Sequence, residues 1–418
     1  MPRRDVALLF AARSVRMFGY GLLSVVLVLY LASIGLAGGE IGLLLALTLV
    51  GDAAITLWLT THADRIGRRR VLLAGAVLLL AAGLVFAATP VFAVLLVAAT
   101  IGVISPSGNE VGPFLAVEQA SLAQLVPAEH RTRLFARYQL TGSLATAAGA
   151  LTAGAVVQLV TAAAEGADTA SLAQAPDPAT AYRAVIVAYA LVGVVLAGLI
   201  ALVSPAVEVP ETQVRDETIR TRLGLHRSQR VVAGLAVLFA LDAFGGGFVM
   251  QSFIAYWFHQ RFGLDPVTLG WLLFGANILA AISALAAAPL AKRIGLVNTM
   301  VFTHLPSNVL LILVPLAPTL PLAAGLLLAR FAISQMDVPT RQSYTMAIVE
   351  PDERSAAAGV TAIGRSIGVS ASPLLAAPLI VGSAALAGLP FVISGVLKIV
   401  YDVALWHRFR AVRPPEES

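Results

Sequence analysis

Cysteine is absent from the sequence, which excludes disulfide bonds and thiolate metal ligands. Charge is scarce as well: 12% of the residues are Asp, Glu, Lys or Arg, whereas a soluble domain carries about 25%. No HExxH or Walker A pattern occurs, so nothing indicates a zinc peptidase or an ATP-driven machine. We exclude an ordinary soluble domain, and we expect no enzymatic activity, no cofactor and no metal site.

Hydrophobic residues make up 58% of the chain and occur in long uninterrupted runs. The segments 71–88 and 185–203 each hold about 18 or more apolar or small residues, enough for a helix to cross a hydrocarbon core of roughly 30 Å. Backbone groups in lipid must be paired internally, which favours helices. Because the runs are apolar all round, they exclude a barrel of alternating strands. The first run, 6–33, is too long for a signal peptide, so we interpret it as a retained span.

Apolar runs between polar breaks predict twelve transmembrane helices. They are placed at 6–33, 39–60, 71–89, 91–125, 131–161, 181–203, 231–257, 267–288, 297–317, 321–348, 355–381 and 388–407. The longest charged segment, 208–230, separates the two sets of six. The sequence therefore predicts an all-α membrane protein with an N-terminal six-helix bundle (1–207), a cytoplasmic linker (208–230) and a C-terminal six-helix bundle (231–418).

Arginine and lysine lie mostly in alternate loops, and short loops rich in these residues stay in the cytoplasm. The residues on the predicted cytoplasmic side outside the linker are Arg3, Arg4, Arg65, Arg68, Arg69, Arg70, Arg131, Arg133, Lys292, Arg293, Arg354, Arg408, Arg410 and Arg413. Only Arg183 and Arg261 lie in opposite loops. Both termini are thus predicted to be cytoplasmic in a plasma (inner) membrane, which requires an even number of spans. The scattered arginines form no basic face, so we expect no nucleic acid partner and predict a monomer in the lipid bilayer.

Two pairs of similar segments indicate an internal duplication. QASLAQLVPAEHR begins at Gln119 and resembles QSYTMAIVEPDER, which begins at Gln342, an offset of 223 residues. DRIG at Asp64 is matched by KRIG at Lys292, an offset of 228. Both offsets correspond to six helices, so the sequence predicts two bundles related by a parallel repeat.

The loop between the second and third spans reads TTHADRIGRRR at 60–70. It is similar to the signature loop of the major facilitator superfamily, whose pattern is Gly-x-Leu-Ala-Asp-Arg-x-Gly-Arg-Arg. The matching residues are Ala63, Asp64, Arg65, Gly67, Arg68 and Arg69. Thr60 replaces the first glycine and His62 replaces the leucine. Together with the twelve spans, the resemblance extends over essentially the whole chain.

The resemblance implies the major facilitator fold and secondary transport by alternating access, in which two bundles rock about a central site. It also implies a cytoplasmic latch formed by Asp64, Arg65, Gly67, Arg68 and Arg69. These residue types suit that role, because a carboxylate caps a helix start, glycine permits a tight turn and arginine reaches helix-end carbonyls. The alternative is that they act only as topogenic charges.

The fifth and eleventh spans are rich in small residues, a partial resemblance to the family's exporters, although the exporters' glycine-proline pair is missing from the fifth span. Small residues also permit close helix packing. We predict export of a small organic compound coupled to proton entry. The alternatives are uptake or facilitated diffusion of a small polar solute and, from another class of protein, a receptor or scaffold that transports nothing.

Ionisable side chains are costly within lipid, so those inside spans usually face a cavity and mark transport or proton pathways. The candidates are Glu110, Asp52, Asp242, Glu118, Asp337, Arg16, Arg330, Arg341 and Arg365. Measured at about 1.5 Å per residue, Arg16 and Asp52 lie at similar depth and are predicted to pair. By the same measure, Asp242, Arg365 and Asp337 form a second cluster. Lys398 and Asp402 are spaced to pair within one helix.

Glu110 lies in SPSGNEVGP at 105–113, where two prolines and two glycines predict a break in the fourth span. Such a break is tolerated beside protein or a water-filled cavity; the alternative is a simple proline kink. Desolvation favours a neutral carboxylate, so Glu110, Asp52 and Asp242 are predicted to exchange protons, in that order. The arginines either fix an ionised carboxylate or bind an anionic substrate. Residues predicted to shape a substrate cavity are Phe18, Tyr20, Phe244, Gln251, Trp271 and Asn277.

Overall fold

The computed structural model describes residues 2–126, 128–167, 178–208, 227–349 and 353–412. These residues form fifteen α-helices and two short 3-10 helices, with no strand among them. The predicted all-helical class is therefore confirmed. Most of the predicted linker, 209–226, lies outside the described residues.

The first of two compact units comprises Met1–Thr218 and Gln251–Phe274. Its helices are α1 (Pro2–Ser33), α2 (Gly38–Ile66), α3 (Arg68–Ala88), α4 (Phe92–Ile101), α5 (Phe114–Leu125), α6 (Ala128–Ala167) and α7 (Pro178–Ala201), followed by a 3-10 turn (Pro205–Val207), and later α9 (Gln251–Phe262) and the first part of α10 (Pro266–Ile294). Within this unit α1 packs against α6 and α7, and α2 packs against α4.

The second unit comprises Ile219–Met250 and Gly275–Ser418. It contains α8 (Gln229–Gly247), the rest of α10, α11 (Leu296–Leu313), a 3-10 turn (Val314–Leu316), α12 (Leu320–Ser334), α13 (Asp337–Ala347), α14 (Arg354–Gly382) and α15 (Leu389–Phe409). Here α8 packs against α14 and α15, and α11 packs against α12 and α15. The bundle limits at 207 and 231 stay a prediction, since α9 clusters with the first unit.

Within the described residues, 10 helical stretches are long and apolar enough to cross a membrane, with α8 and α9 counted as one stretch, Gln229–Phe262. The other two of the twelve predicted spans are interrupted. One is divided into α4 and α5, of 10 and 12 residues, and the other into α12 and α13, of 15 and 11 residues. Each is the fourth helix of its set of six, so the interruption follows the predicted repeat.

Small residues bring specific helix pairs into close contact within each unit. A Cβ atom added at Gly149 on α6 would lie 2.0 Å from the carbonyl oxygen of Phe18 on α1. A Cβ atom at Gly368 on α14 would lie 2.1 Å from the carbonyl oxygen of Ala240 on α8. The glycines of the fifth and eleventh spans therefore serve backbone-to-backbone packing, which accounts for them without an exporter signature.

Candidate functional site

The first unit contains a buried charge cluster formed by Arg13, Arg16, Glu110, Glu118 and Tyr138, here called the Arg16 cluster. Arg16 on α1 donates from Nε to Glu110 Oε1 at 2.8 Å. Its terminal nitrogens donate to both oxygens of Glu118, at 2.7 and 2.8 Å. Arg13 donates to Glu110 Oε2 at 2.7 Å, and the Tyr138 hydroxyl donates to Glu118. Two arginines and two glutamates thus neutralise one another and join α1 to the interrupted fourth helix.

Asp52 on α2 contacts the break in the fourth helix, so the predicted pairing of Arg16 with Asp52 is wrong. The break, at 102–113, separates α4 from α5 as the sequence predicts. Gly112 has φ +82°, in the left-handed region that favours glycine, and its N–H donates to Asp52 Oδ1 at 2.5 Å. The Thr56 hydroxyl donates to the same oxygen at 3.4 Å. Among the side chains that the structure describes, no cation pairs with Asp52.

The second unit contains a buried cluster centred on one carboxylate and formed by Asp242, Asp337, Arg341, Arg365 and Lys398, here called the Asp242 cluster. Lys398 Nζ donates to Asp242 Oδ1 at 2.6 Å. Arg341 and Arg365 donate to Asp242 Oδ2 at 2.9 and 3.0 Å. Arg341 also donates to Asp337 at 3.1 Å. The predicted grouping of Asp242, Arg365 and Asp337 is confirmed, with Arg341 as the link between the carboxylates.

The predicted pairing of Lys398 with Asp402 within one helix is wrong. Asp402 is bonded to α11 instead: its Oδ1 lies 2.8 Å from His304 Nδ1, and its Oδ2 accepts from Asn308 at 2.9 Å. Lys398 points to Asp242 from the same helix, α15. Both oxygens of Asp402 are engaged by α11, and Lys398 pairs with Asp242 instead, because a buried lysine needs a charged partner.

The two clusters use corresponding positions with reversed charge. By the repeat offset of 223, Glu118 on the fourth helix corresponds to Arg341 on the tenth. Arg16 on the first helix corresponds, at an offset of 226, to Asp242 on the seventh. In both units an ion pair therefore ties the first helix of the set to its interrupted fourth helix. The pairing of helices is thus the same in the two units, with the signs of the charges exchanged.

Arg330 on α12 is a predicted site residue whose charge has no direct partner among the described residues. Its side chain is 8% exposed, and Nε is buried without a hydrogen-bond partner. The guanidinium carbon lies 5.0 Å from the ring centroid of Phe331. Within the described residues Arg330 forms no hydrogen bond and no ion pair, so it is a buried cation without a direct counterion.

The signature loop joins the start of α3 to the end of α7. Gly67 turns the chain with φ +103°, and the next two backbone N–H groups, of Arg68 and Arg69, donate to the Glu208 carboxylate at 2.6 and 3.1 Å. The Arg68 side chain donates to Gln124 Oε1 at 2.9 Å, and the Arg69 side chain donates to the Ala201 carbonyl at 2.5 Å. This geometry suits the predicted latch, which stays a prediction. The side chain of Asp64 lies outside the described part, and Arg65 is exposed.

Replacing Glu208 with glutamine is expected to destabilise the protein by about 1 to 2 kcal/mol, because two backbone donors at a helix start lose a charged acceptor. The change should also speed amide hydrogen exchange at Arg68 and Arg69. Glu40→Gln is the matched control, since Glu40 accepts from the Ala37 N–H at 2.8 Å at the exposed start of α2 and links no distant segments. Equal melting temperatures for the two variants would contradict a joining role for Glu208.

The predicted cavity residues lie in different surroundings. Tyr20 is fully buried and donates to the Val111 carbonyl at 3.0 Å, so it braces the break in the fourth helix. Gln251 and Asn277 are buried, and Phe18 is half-buried. Trp271 is 58% exposed, which favours a lipid-facing position over a cavity.

Phe244 lines an apolar groove of about 470 Å³ in the second unit. The other lining residues are Phe248, Leu374, Leu375, Pro378, Leu379, Ile393 and Leu397. Since none of them is ionisable, the groove is separate from the chemistry of the Asp242 cluster, and we assign the candidate site to the charged residues.

Sequence analysis did not identify Arg13, His304 or Glu208. Arg13 lies three residues before Arg16, on the same face of α1, and that spacing could have revealed it. His304 is a polar residue in an apolar span, which is a usable signal. Glu208 gave no signal, because it lies at the edge of the predicted linker and 140 residues from Arg68 in the chain.

Comparison with known proteins identifies one family and several similar folds. The sequence model of the Major Facilitator Superfamily matches residues 9–373 and 232–418. The membrane protein YJR124C of Saccharomyces cerevisiae is 32% identical over 435 residues, which cover 98% of this chain and 95% of the yeast protein. A bacterial homolog of the human lysosomal transporter Spinster, inward-facing and occupied, has a TM-score of 0.73 at 16% identity, with coverage of 97% and 96%. A D-xylose-proton symporter has a TM-score of 0.69 at 17% identity, with coverage of 96% and 97%.

Proposed function

The chain belongs to the major facilitator superfamily and is therefore a multi-pass membrane transporter, and from this premise we propose that it exports a small organic compound in exchange for protons. Asp52 is the proposed proton carrier. The proposal places the protein in the plasma (inner) membrane as a monomer with both termini cytoplasmic. Transport proceeds by alternating access of a central site.

The observation that carries the proposal is the bonding of Asp52. It is a half-buried carboxylate in a membrane span, and its Oδ1 accepts from a backbone N–H and a hydroxyl instead of a cation. A carboxylate held without a counterion in such surroundings is readily neutralised by a proton, because desolvation penalises its charged form. Proton uptake and release at this position therefore need no ion pair to be broken.

Three other titratable groups act on Asp52 from the surrounding elements. Glu110 at the break adds negative charge, and Tyr20 on α1 and Tyr189 on α7 interact with Asp52 electrostatically. The charge of Glu110 is itself offset by Arg13 and Arg16. Asp52 is thus the carboxylate of this region whose charge is left uncompensated.

The break in the fourth helix links Asp52 to α1. Ionised Asp52 accepts the Gly112 N–H, and Glu110, two residues earlier, is held by Arg16 of α1. Protonation weakens the Gly112 hydrogen bond, since charge-assisted bonds are roughly twice as strong as neutral ones. The proton state of Asp52 is in this way transmitted through 110–112 to the Arg16 cluster, which is how we propose that protons drive the conformational change.

These contacts favour Asp52 over Glu110 as the proton carrier. Glu110 accepts from Arg13 and Arg16 and is therefore paired with two cations. Protonating Glu110 would leave buried cations short of a partner, which is costly. The proton-exchange roles of Glu110 and Asp242 stay predictions, and we assign both residues primarily to holding helices together.

Replacing Asp52 with asparagine is expected to abolish proton-coupled transport while preserving binding and exchange. Asparagine keeps the oxygen that accepts from Gly112 but cannot carry a proton. The assay uses inverted membrane vesicles with a respiration-generated pH gradient and a fluorescent amine as reporter. Compounds are taken from a thermal-shift screen, because binding to the folded state raises apparent stability. Adding an exported compound to wild-type vesicles should dissipate the gradient, whereas vesicles with Asp52→Asn should respond like vesicles without the transporter.

Glu110→Gln is the informative comparison, because it should lower the melting temperature by disturbing Arg13 and Arg16, whereas Asp52→Asn should not. Full gradient dissipation with Asp52→Asn would overturn the assignment of the proton carrier. If wild-type vesicles accumulate compound without proton release, the proposal of export by exchange fails. Uptake by symport would then be tested in right-side-out vesicles.

A further inference from the structure

Arg330 is a buried cation in the second unit without a hydrogen-bonded partner among the described residues, which indicates that it binds an anionic ligand. A guanidinium has five N–H donors, and burying a charge without a hydrogen-bonded partner is strongly unfavourable. Arg330 is nevertheless more than nine-tenths buried, and the described residues offer it only the aromatic ring of Phe331. An anion supplied from outside the chain would satisfy the donors that the protein leaves open.

The neighbouring carboxylates do not serve as its direct partners. Asp242 and Asp337 act on Arg330 electrostatically, beyond hydrogen-bond distance. Asp242 accepts on Oδ1 from Lys398 and on Oδ2 from Arg341 and Arg365. Both oxygens of Asp242 are thus already bonded to other cations.

The charges of this region leave a surplus of one cation. Among the described side chains within the spans of this region, the cations are Arg330, Arg341, Arg365 and Lys398, and the carboxylates are Asp242, Asp337 and Asp402. These side chains carry four positive charges and three negative charges. One added negative charge balances them, whereas a dianion such as a phosphate monoester would reverse the imbalance.

Arg365 is a more exposed cation that is bonded to the same carboxylate, Asp242. Its side chain is 37% exposed, and its one hydrogen bond in the structure goes to Asp242. Four of its five N–H donors therefore remain available. Arg365 therefore retains N–H donors for a ligand anion beside Asp242.

We infer that Arg330 binds the carboxylate of a small organic monoanion and that such monoanions are the substrate class of this transporter. Guanidinium groups bind carboxylates with two parallel hydrogen bonds, which adds geometric selectivity to charge. The inference rests on the proposed function for the existence of a transported organic compound. It does not depend on Asp52, which lies in the other unit.

The test measures binding without any pH gradient. Purified protein is melted in the presence of matched pairs of small carboxylates and their primary amides, namely benzoate and benzamide, nicotinate and nicotinamide, and lactate and lactamide, with phenyl phosphate as the dianion. At least one carboxylate should raise the melting temperature, and its amide and phenyl phosphate should not. Arg330→Gln should weaken the binding of that carboxylate by about 10- to 100-fold, as expected for losing a charge-assisted bond, and Arg330→Lys should weaken it less.

Arg183→Gln is the control for lost positive charge, because Arg183 is exposed on α7, and this variant should bind like the wild type. A structural role for Arg330 would lower the melting temperature of ligand-free Arg330→Gln, whereas removing an unpaired buried cation should leave it unchanged or raise it. The inference is overturned if an acid and its amide stabilise the protein equally, or if Arg330→Gln binds the carboxylate as well as the wild type does. It is also overturned if no carboxylate of the panel binds. Asp52→Asn should still bind the carboxylate. A failure of proton coupling at Asp52 is then distinguished from a failure of substrate binding at Arg330.

Discussion

Replacing Asp242 with asparagine is expected to lower the free energy of unfolding by about 3 to 5 kcal/mol, the cost of removing one partner from a buried ion pair. Asp242 is bonded to Lys398, Arg341 and Arg365 at 2.6, 2.9 and 3.0 Å, and asparagine offers these cations no charge. Because α8, α13, α14 and α15 each contribute one of the bonded residues, the loss should affect the whole second unit. The measurement is the melting temperature of purified protein together with the yield of folded protein on size-exclusion chromatography.

A second variant separates electrostatic from packing effects. Lys398→Met added to Asp242→Asn removes one of the stranded cations and should recover part of the lost stability. Asp265→Asn is the matched control, since this exposed aspartate accepts from the Val267 and Thr268 N–H groups at 2.8 and 3.0 Å at the start of α10, and asparagine caps a helix equally well. If Asp242→Asn melts at the temperature of Asp265→Asn, the cluster contributes no net stability.

Glu118→Gln is expected to have an effect of similar size in the first unit, about 3 to 5 kcal/mol. Glu118 is fully buried, and both of its oxygens accept from Arg16. Glutamine replaces one acceptor with an NH₂ group that points at the guanidinium, which places donor against donor. Tyr138 would lose its charged acceptor as well. Chemical unfolding of the purified variant measures the loss.

A double-mutant cycle with Arg16→Gln tests whether the two residues act as a pair. The double variant can form an amide-to-amide hydrogen bond and should lose less stability than the sum of the single variants, with a coupling energy of about 0.5 to 3 kcal/mol. Glu110 keeps Arg13 as a partner in this background. Strictly additive losses would show that Arg16 and Glu118 stabilise the fold independently.

The helices were predictable because the signal for a span is local. About 20 apolar residues suffice to define a transmembrane helix, and prolines and glycines at 105–113 define its interruption. The interruption between α12 and α13 has no glycine at the break: the helices end and begin at Ser334 and Asp337. It was therefore missed, and the tenth span was predicted as continuous.

Ion-pair partners were harder to predict because depth along a helix says nothing about the direction in which a side chain points. Arg16 and Asp52 lie at similar depth, yet Arg16 bonds Glu110 and Glu118. Lys398 and Asp402 are one turn apart, yet each bonds a different helix. Rotation of a helix about its axis and the competition among several charges decide such pairs.

The sequence by itself determined the class of protein, most of the span pattern and the family, because each depends on local composition or on residues adjacent in the chain. Only the tertiary structure decided which charges are compensated. It showed that Arg16 and Asp242 are balanced by residues about 100 positions away, while Asp52 and Arg330 form no ion pair with any residue that the structure describes. The physical reason is that the free energy of a buried charge depends on the partners that folding brings within about 4 Å, and no local pattern records them.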